Sequence, residues 1–253
     1  MSSMDQPADQ ESAVLGLMAR HRSVRAYLPR PVPDEAVRRA IASAQQAATS
    51  SWIQGYHLYE VSQGPVRERL SELAGNQAQV REAPRFFVIC GETRRHRLAA
   101  KLADAPHVEC TETFLLSVID ASLFTQNLVL ALEAQGLGTC YIGGLRNDLA
   151  GVDSALSLPE GTFPLFGLCA GWPAEDPGPR PRLAPEDIWS VDRVPTEAEA
   201  SETIERFDAV AADYYARRGA PGRNWSGGLW RKFKTALRPS LKGFYESKGA
   251  RFE

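Results

Sequence analysis

The stretch from Glu112 to Gln135 constrains the fold of this chain more than any other. Phe114, Leu115, Leu116, Val118, Ile119, Leu123, Phe124, Leu128, Val129 and Leu132 recur there at helical spacing and lie on nearly all faces. Gly136 terminates the run. A helix with so narrow a polar face has to be enclosed almost all round, and a hydrophobic core or a second subunit serves equally well. The 253 residues supply material for one large domain or two small ones.

Around this helix, helices and strands are interspersed without a strict βαβα rhythm, which argues for an α+β fold over a doubly wound sheet. Residues 1–11 read as a flexible leader. The spacing predicts a helix over residues 12–20 and a second from Asp34, with Asp34 as its N-cap and Val37, Ala40, Ile41 and Ala44 on one face. Residues 56–61 alternate as a strand does, and residues 66–73 read as a short helix ending near Gly75. Phe86-Phe87-Val88-Ile89-Cys90 is a continuous apolar run between Pro84 and Gly91, expected as a central strand. A strand at 139–142, the turn Gly143-Gly144, a short helix near 147–156 and a strand at 165–170 follow the long helix. Residues 171–195 are rich in proline and polar residues and read as an extended arm. Helices are expected over 197–217 and 230–247, separated by Gly219-Ala220-Pro221-Gly222.

The formal net charge of −2 makes neither nucleic acid nor an anionic membrane the default partner. No apolar run reaches membrane-spanning length, and the first residues are polar and acidic, so neither insertion nor secretion is expected. Cys90, Cys110, Cys140 and Cys169 are scattered, which suits buried thiols in a reducing cytoplasm. His21, His57, His96 and His107 are too dispersed for a zinc site, and no metal is expected. The chain has no G-x-S-x-G elbow, no phosphate loop of the G-x-x-x-x-G-K-[ST] kind and no H-E-x-x-H pair. Gly136-Leu137-Gly138 followed by Gly143-Gly144 has a dinucleotide flavour, but it leaves a helix and enters a strand, the reverse of that fingerprint.

What chemistry the chain does carry is cationic. His21-Arg22-Ser23-Val24-Arg25 gathers two guanidinium groups, an imidazole and a hydroxyl at one point, the donor set a phosphate dianion requires. A solvated basic helix end is the plainer alternative. In Tyr141-Ile142-Gly143-Gly144-Leu145-Arg146 an apolar strand ends in two residues without a Cβ, letting backbone approach a flat ligand and allowing positive φ; a simple strand-to-helix turn would need the same glycines. Arg180-Pro181-Arg182 sets two more cations on a stiffened backbone. Arg217, Arg218, Arg223, Arg231, Lys232, Lys234, Arg238 and Lys242 make the last segment basic, as a solvated helical face or as a surface turned to an anion.

These pieces, with Ala48-Thr49-Ser50-Ser51-Trp52-Ile53-Gln54, Gly75-Asn76-Gln77 and Pro164-Leu165-Phe166-Gly167-Leu168-Cys169-Ala170-Gly171-Trp172-Pro173, occur in an order that resembles the oxygen-insensitive NADPH nitroreductase and flavin reductase P family, within the FMN-dependent nitroreductases. The resemblance runs from about Ser12 to the C-terminus. It implies an α+β nitroreductase fold, a central mixed but mostly antiparallel sheet surrounded by helices, in an intertwined homodimer. Residues 12–253 would form a single FMN-binding domain that includes the arm 171–195 and a helical excursion 196–253.

The resemblance also implies roles. His21, Arg22, Ser23 and Arg25 would hold the FMN phosphate and ribityl end; Gln77 would bond the flavin ring, with Tyr141, Ile142, Gly143 and Gly144 along it. Arg180 and Arg182 would complete the site, and Arg180 or Arg182 would stabilise the negative charge of the reduced ring. Thr49, Ser50 and Ser51 would reach the flavin of the other subunit, while Arg218, in its Arg-Gly pattern, and Arg223 would bind the NADPH 2′-phosphate. Two departures stand out: Arg180 replaces the family's usual lysine, and Thr49 with Trp52 replaces a serine and a smaller aromatic, narrowing the acceptor pocket. The implied activity is ping-pong hydride transfer from NADPH through FMN to nitroaromatics, quinones or free flavin, in the cytoplasm, with no dedicated acid–base pair. The alternatives are a flavin- or ligand-binding protein without turnover, a flavin reductase feeding reduced flavin to a partner, and a plain interaction protein with basic helices.

Overall fold

The computed structural model describes residues 7–253, with side chains from residue 13 onward. The chain forms two compact units: residues up to Pro177 together with Ser240–Glu253, and the segment Gly178–Pro239.

The first unit is built on four antiparallel strands, β1 (Tyr56–Glu60), β2 (Arg85–Glu92), β3 (Gly138–Ile142) and β4 (Thr162–Gly171), in the order β1-β2-β4-β3. The apolar run of β2 is explained by what lies on its two faces. Phe87 and Ile89 point into a core made with α2 (Asp34–Ala44) and α6 (Thr111–Glu133), while Phe86, Val88 and Cys90 point into a second core under α3 (Pro65–Leu73), α4 (Ala78–Glu82) and α7 (Leu149–Leu156). A strand buried on both faces has no use for a polar alternation. Phe87 pairs with Leu168 and Cys140 with Cys169 across the sheet, and the β2–β4 register shifts by a bulge between Ile89 and Cys90.

Helix α1 spans Pro7–Ala19, starting earlier than the expected residue 12; the first six residues of the expected leader lie outside the described residues. Asp34 is not the N-cap of α2. Pro33 holds that position, and the Asp34 carboxylate instead takes an N–H of Arg85, which also donates to Glu60 at 2.7 Å. A charged partner outcompetes the backbone amides of the helix end. Helix α6 is long and apolar enough to cross a membrane by those criteria alone, contrary to the expectation that no run reaches that length. Its buried face carries Ser117, Asp120 and Thr125 among Phe124, Leu128, Val129 and Leu132, packed on α2 and the sheet, while Leu115, Ile119 and Leu123 remain exposed. Helix α5 (Arg94–Leu102) buries no side chain fully, and neither it nor α4 was expected, because both are short and rich in polar residues.

The C-terminal residues return to the first unit. Helix α11 (Leu241–Ser247) seats Tyr245 so that its hydroxyl donates to the Pro164 carbonyl at 2.9 Å, and the Lys248 ammonium reaches the Leu158 carbonyl at 2.6 Å and Asp153 at 2.8 Å. The second unit contains α8 (Pro185–Ile188), α9 (Glu197–Arg217) and α10 (Trp225–Phe233). A reciprocal Thr196–Glu199 cap starts α9, and Asn224 caps α10. The helix expected over 230–247 is two helices, since Pro239 has no N–H to give and Arg238 stands at φ 50°.

Candidate functional site

Residues 21–25 do not end a helix in solvent. They run extended beside the sheet edge: Ser23 bridges Thr139 in parallel, the Val24 N–H donates to the Thr139 carbonyl at 2.9 Å, and the Val24 side chain, 2% exposed, fills the space left by Gly138. Alternation along an extended chain turns Ser23 and Arg25 away from the face that buries Val24. The stretch after β4 clamps the segment from its other side, with Leu28 N–H on the Trp172 carbonyl at 2.8 Å and Ala174 N–H on the Ala26 carbonyl at 2.9 Å.

The cations of this segment have acidic company that the local sequence did not reveal. His21 Nδ1 lies 2.9 Å from Glu133 Oε1, which also accepts the Thr139 hydroxyl at 2.9 Å. Arg22 Nε donates to Asp176 at 2.6 Å, and Glu175 accepts the backbone N–H groups of Arg25 and Ala26 at 2.7 and 3.2 Å. Among the described residues, the exposed Arg25 guanidinium donates to the Ser23 carbonyl, at 3.3 Å.

At the far end of β3, the Tyr141 ring stands edge-on to Phe166 with centroids 5.3 Å apart, and burial pushes its phenol up to about 12. Ile142 is fully buried, and Gly143–Asn147 forms a 3₁₀ turn. Neither Gly143 nor Gly144 adopts a positive φ, so the left-handed freedom expected of them is not used. Gly144 is needed for space instead: a Cβ there would overlap the Ala74 carbonyl oxygen and the Gln77 amide. That contact brings Gln77 to the end of β3. Its turn contains the left-handed Gly75 and Asn76, and is fixed by the buried Arg67, which donates to the Val80 carbonyl at 2.7 Å and to that of Ala83, and by Ser71, whose hydroxyl donates to the Gln77 carbonyl at 3.0 Å. Gln77 Nε2 donates to the Ala74 carbonyl at 2.9 Å, leaving its second N–H for another acceptor.

His21, Arg22, Ser23, Arg25, Gln77, Tyr141, Ile142, Gly143 and Gly144 are thus collected along one edge strand, β3. Thr49, Ser50 and Ser51 are not. They precede β1, the opposite edge strand, about 14 Å away by strand spacing. The Thr49 hydroxyl is occupied by Asp120, a residue of α6 that sequence reasoning missed.

In the second unit, Arg180 and Arg182 line a pocket of about 480 Å³ with Leu183, Phe207, Tyr214 and Trp225, and Arg182 folds back on the Arg180 carbonyl at 2.9 Å. Arg223 shares a separate cavity of about 430 Å³ with Tyr215, Asn224, Gly228 and Arg231. The Arg218 guanidinium lies over the Tyr214 ring, 5.5 Å from its centre.

The chain is similar to known proteins along most of its length. The model of the nitroreductase family matches residues 18–172, and that of the nitroreductase family C-terminal domain matches residues 180–253. The chain is 36% identical over 236 residues to the FMN reductase (NADPH) of Bacillus subtilis, covering 90% of this chain and 94% of the relative. It is 33% identical over 240 residues to the oxygen-insensitive NADPH nitroreductase of Salmonella typhimurium, covering 94% and 98%. Among solved structures, the NADPH:FMN oxidoreductase from Vibrio harveyi, complexed with NAD+, superposes with a TM-score of 0.85 at 32% identity over 94% of this chain and 98% of its own. The coverage reaches both units, and the chain belongs to the nitroreductase family.

Proposed function

We propose that this protein is an FMN-dependent oxidoreductase that passes electrons from NADPH to small acceptors such as nitroaromatics, quinones or free flavin. The observation that carries the reading is the cationic segment docked along β3, with the Tyr141–Gly144 strand end and the Gln77 amide gathered at the other end of the same strand. Relatives named as an FMN reductase (NADPH) and an NADPH nitroreductase support it.

The residues fit the group. The exposed Arg25 fork, the Ser23 hydroxyl, His21 and Arg22 would grip the phosphate, and Asp176 on the surface is the partner that Arg22 would exchange for it. Gln77 would offer its remaining N–H to the ring, and the peptide units of Gly143 and Gly144 would lie along it between Tyr141 and Ile142. Bound FMN supplies the two-electron chemistry, which is why the chain needs no acid–base pair of its own. Arg180 and Arg182 are assigned to the same cofactor, and Arg218 and Arg223 to the NADPH 2′-phosphate.

The working form in this reading is a homodimer. Leu115, Ile119 and Leu123 are 47%, 43% and 43% exposed on one face of α6, an apolar stripe that a second copy would cover. A site using both the β3 edge and residues 49–51 near the β1 edge would, in this reading, be built from two chains. Free thiols at Cys90, Cys140 and Cys169, all buried, agree with a reducing cytoplasm.

Purified protein is expected to be yellow, to bleach anaerobically on addition of NADPH and to recover its colour when a quinone is added. A colourless preparation that takes up no FMN overturns the reading, and a yellow one that NADPH does not bleach leaves only flavin binding.

A further inference from the structure

The segment between α2 and β1 is held in a conformation it would not choose. Ser51, Trp52 and Gln54 stand at φ 46°, 60° and 50°, in the left-handed region that disfavours residues with a side chain. Such a loop persists only where its surroundings over-determine it.

Here they do. Asp120, 1% exposed on α6, accepts the Thr49 hydroxyl at 2.5 Å and the Gly55 N–H at 2.9 Å on Oδ2, and the Ser50 N–H at 3.2 Å on Oδ1. The Thr49 oxygen in turn accepts the Gln54 N–H at 2.8 Å. Gly55 presses against the helix, where a Cβ would stand 3.1 Å from Ser117 Cα. On its other side the loop is held by His96, 2.8 Å from the Ile53 carbonyl, and by Arg95, which donates to the carbonyls of Gln54 at 3.2 Å and of Tyr56. Both ends are pinned, and what projects is Ser51 with the Trp52 indole, 81% exposed.

Asp120 makes no ion pair among the described residues, so its buried charge is met by loop donors alone. A carboxylate buried without a cation is costly unless its hydrogen bonds are complete. We propose that Asp120 is a positioning residue which, through Thr49, Ser50 and Gly55, fixes where Trp52 stands and so sets the size of electron acceptor the enzyme takes. The inference rests on the reading above, in which this loop borders the place of the acceptor.

The test is the ratio of kcat/KM for 1,4-benzoquinone over 9,10-phenanthrenequinone, measured with NADPH on flavin-loaded enzyme. Because it is a ratio within each variant, partial flavin loss or a lower active fraction cancels. Trp52→Ala is expected to lower the preference for the small quinone about tenfold, the scale on which pocket shape discriminates. Asp120→Ala is expected to lower it about fivefold, and Asp120→Asn, which keeps an acceptor for Thr49 and Gly55, to restore most of it. Adding Asp120→Ala to Trp52→Ala is expected to change nothing further, since no indole remains to be placed. A ratio that moves with Trp52→Ala but not with Asp120→Ala, or additive effects in the double variant, overturns the proposal while leaving the loop at the acceptor. A ratio that moves with neither overturns the placement of the loop as well. If Asp120→Ala does not fold, Thr49→Val removes the same bond while leaving the carboxylate in place, and an unchanged ratio there overturns the proposal.

Discussion

Arg22 is paired with Asp176, but the acid's side chain is 70% exposed, and an ion pair so open to water is weak. A phosphate placed at residues 21–25 would therefore trade a poor partner for a dianion. Removing one charge-assisted contact to that phosphate costs about 1.5–3 kcal/mol, so Arg22→Ala is expected to weaken FMN binding by roughly ten- to a hundredfold in a flavin-fluorescence titration. Asp176→Ala is expected to tighten it. Gly144 makes a different kind of prediction. A Cβ there would run into the Ala74 carbonyl, which is backbone and cannot swing aside as a side chain can, whereas a Cβ on Gly143 would meet the flexible end of Arg146, at 3.4 Å. Gly144→Ala should cost about 1–3 kcal/mol in thermal unfolding and Gly143→Ala little, a contrast opposite to one based on backbone freedom, since neither glycine has positive φ.

Helix α6 links one core of the first unit to the outside. Phe124, Leu128 and Leu132 are buried against the sheet, while Leu115, Ile119 and Leu123 recur every fourth residue on the uncovered face. Burying each of these on a second copy would be worth about 1.5 kcal/mol or more, and a carboxylate in their midst would oppose it. Ile119→Glu is accordingly expected to yield monomers by sedimentation with the fold intact by circular dichroism. Elements with strong local patterning were readable in the chain: α9 spans Glu197–Arg217 as its spacing and Thr196–Glu199 cap require, and β2 is the central apolar strand its composition announces. Those without it were not. α5 opens with Arg94-Arg95-His96-Arg97 and leaves its Leu98 and Leu102 exposed, and the break at Pro239 was hidden by apolar spacing on both sides.

For the molecule as a whole, the two units hold their cations in different settings. The first collects its cations along β3; the second carries Arg218 over Tyr214 and Arg223 in a cavity with Arg231. If the second serves the 2′-phosphate, Arg218→Ala is expected to reduce the preference for NADPH over NADH about tenfold, one charge-assisted contact's worth, in steady-state kinetics with a single quinone. An unchanged preference would remove Arg218 from that role.

The sequence by itself determined the α+β class, the long apolar helix, the double-sided strand and the cationic segment, because each is a pattern among neighbours imposed by backbone periodicity. Tertiary structure alone decided which distant groups meet. Glu133 reaches His21 across 112 positions, Asp176 reaches Arg22 across 154, and Asp120 reaches Thr49 across 71. Among 31 acidic residues nothing local marks these three, since each of them acquires its partner only when packing brings separate elements together.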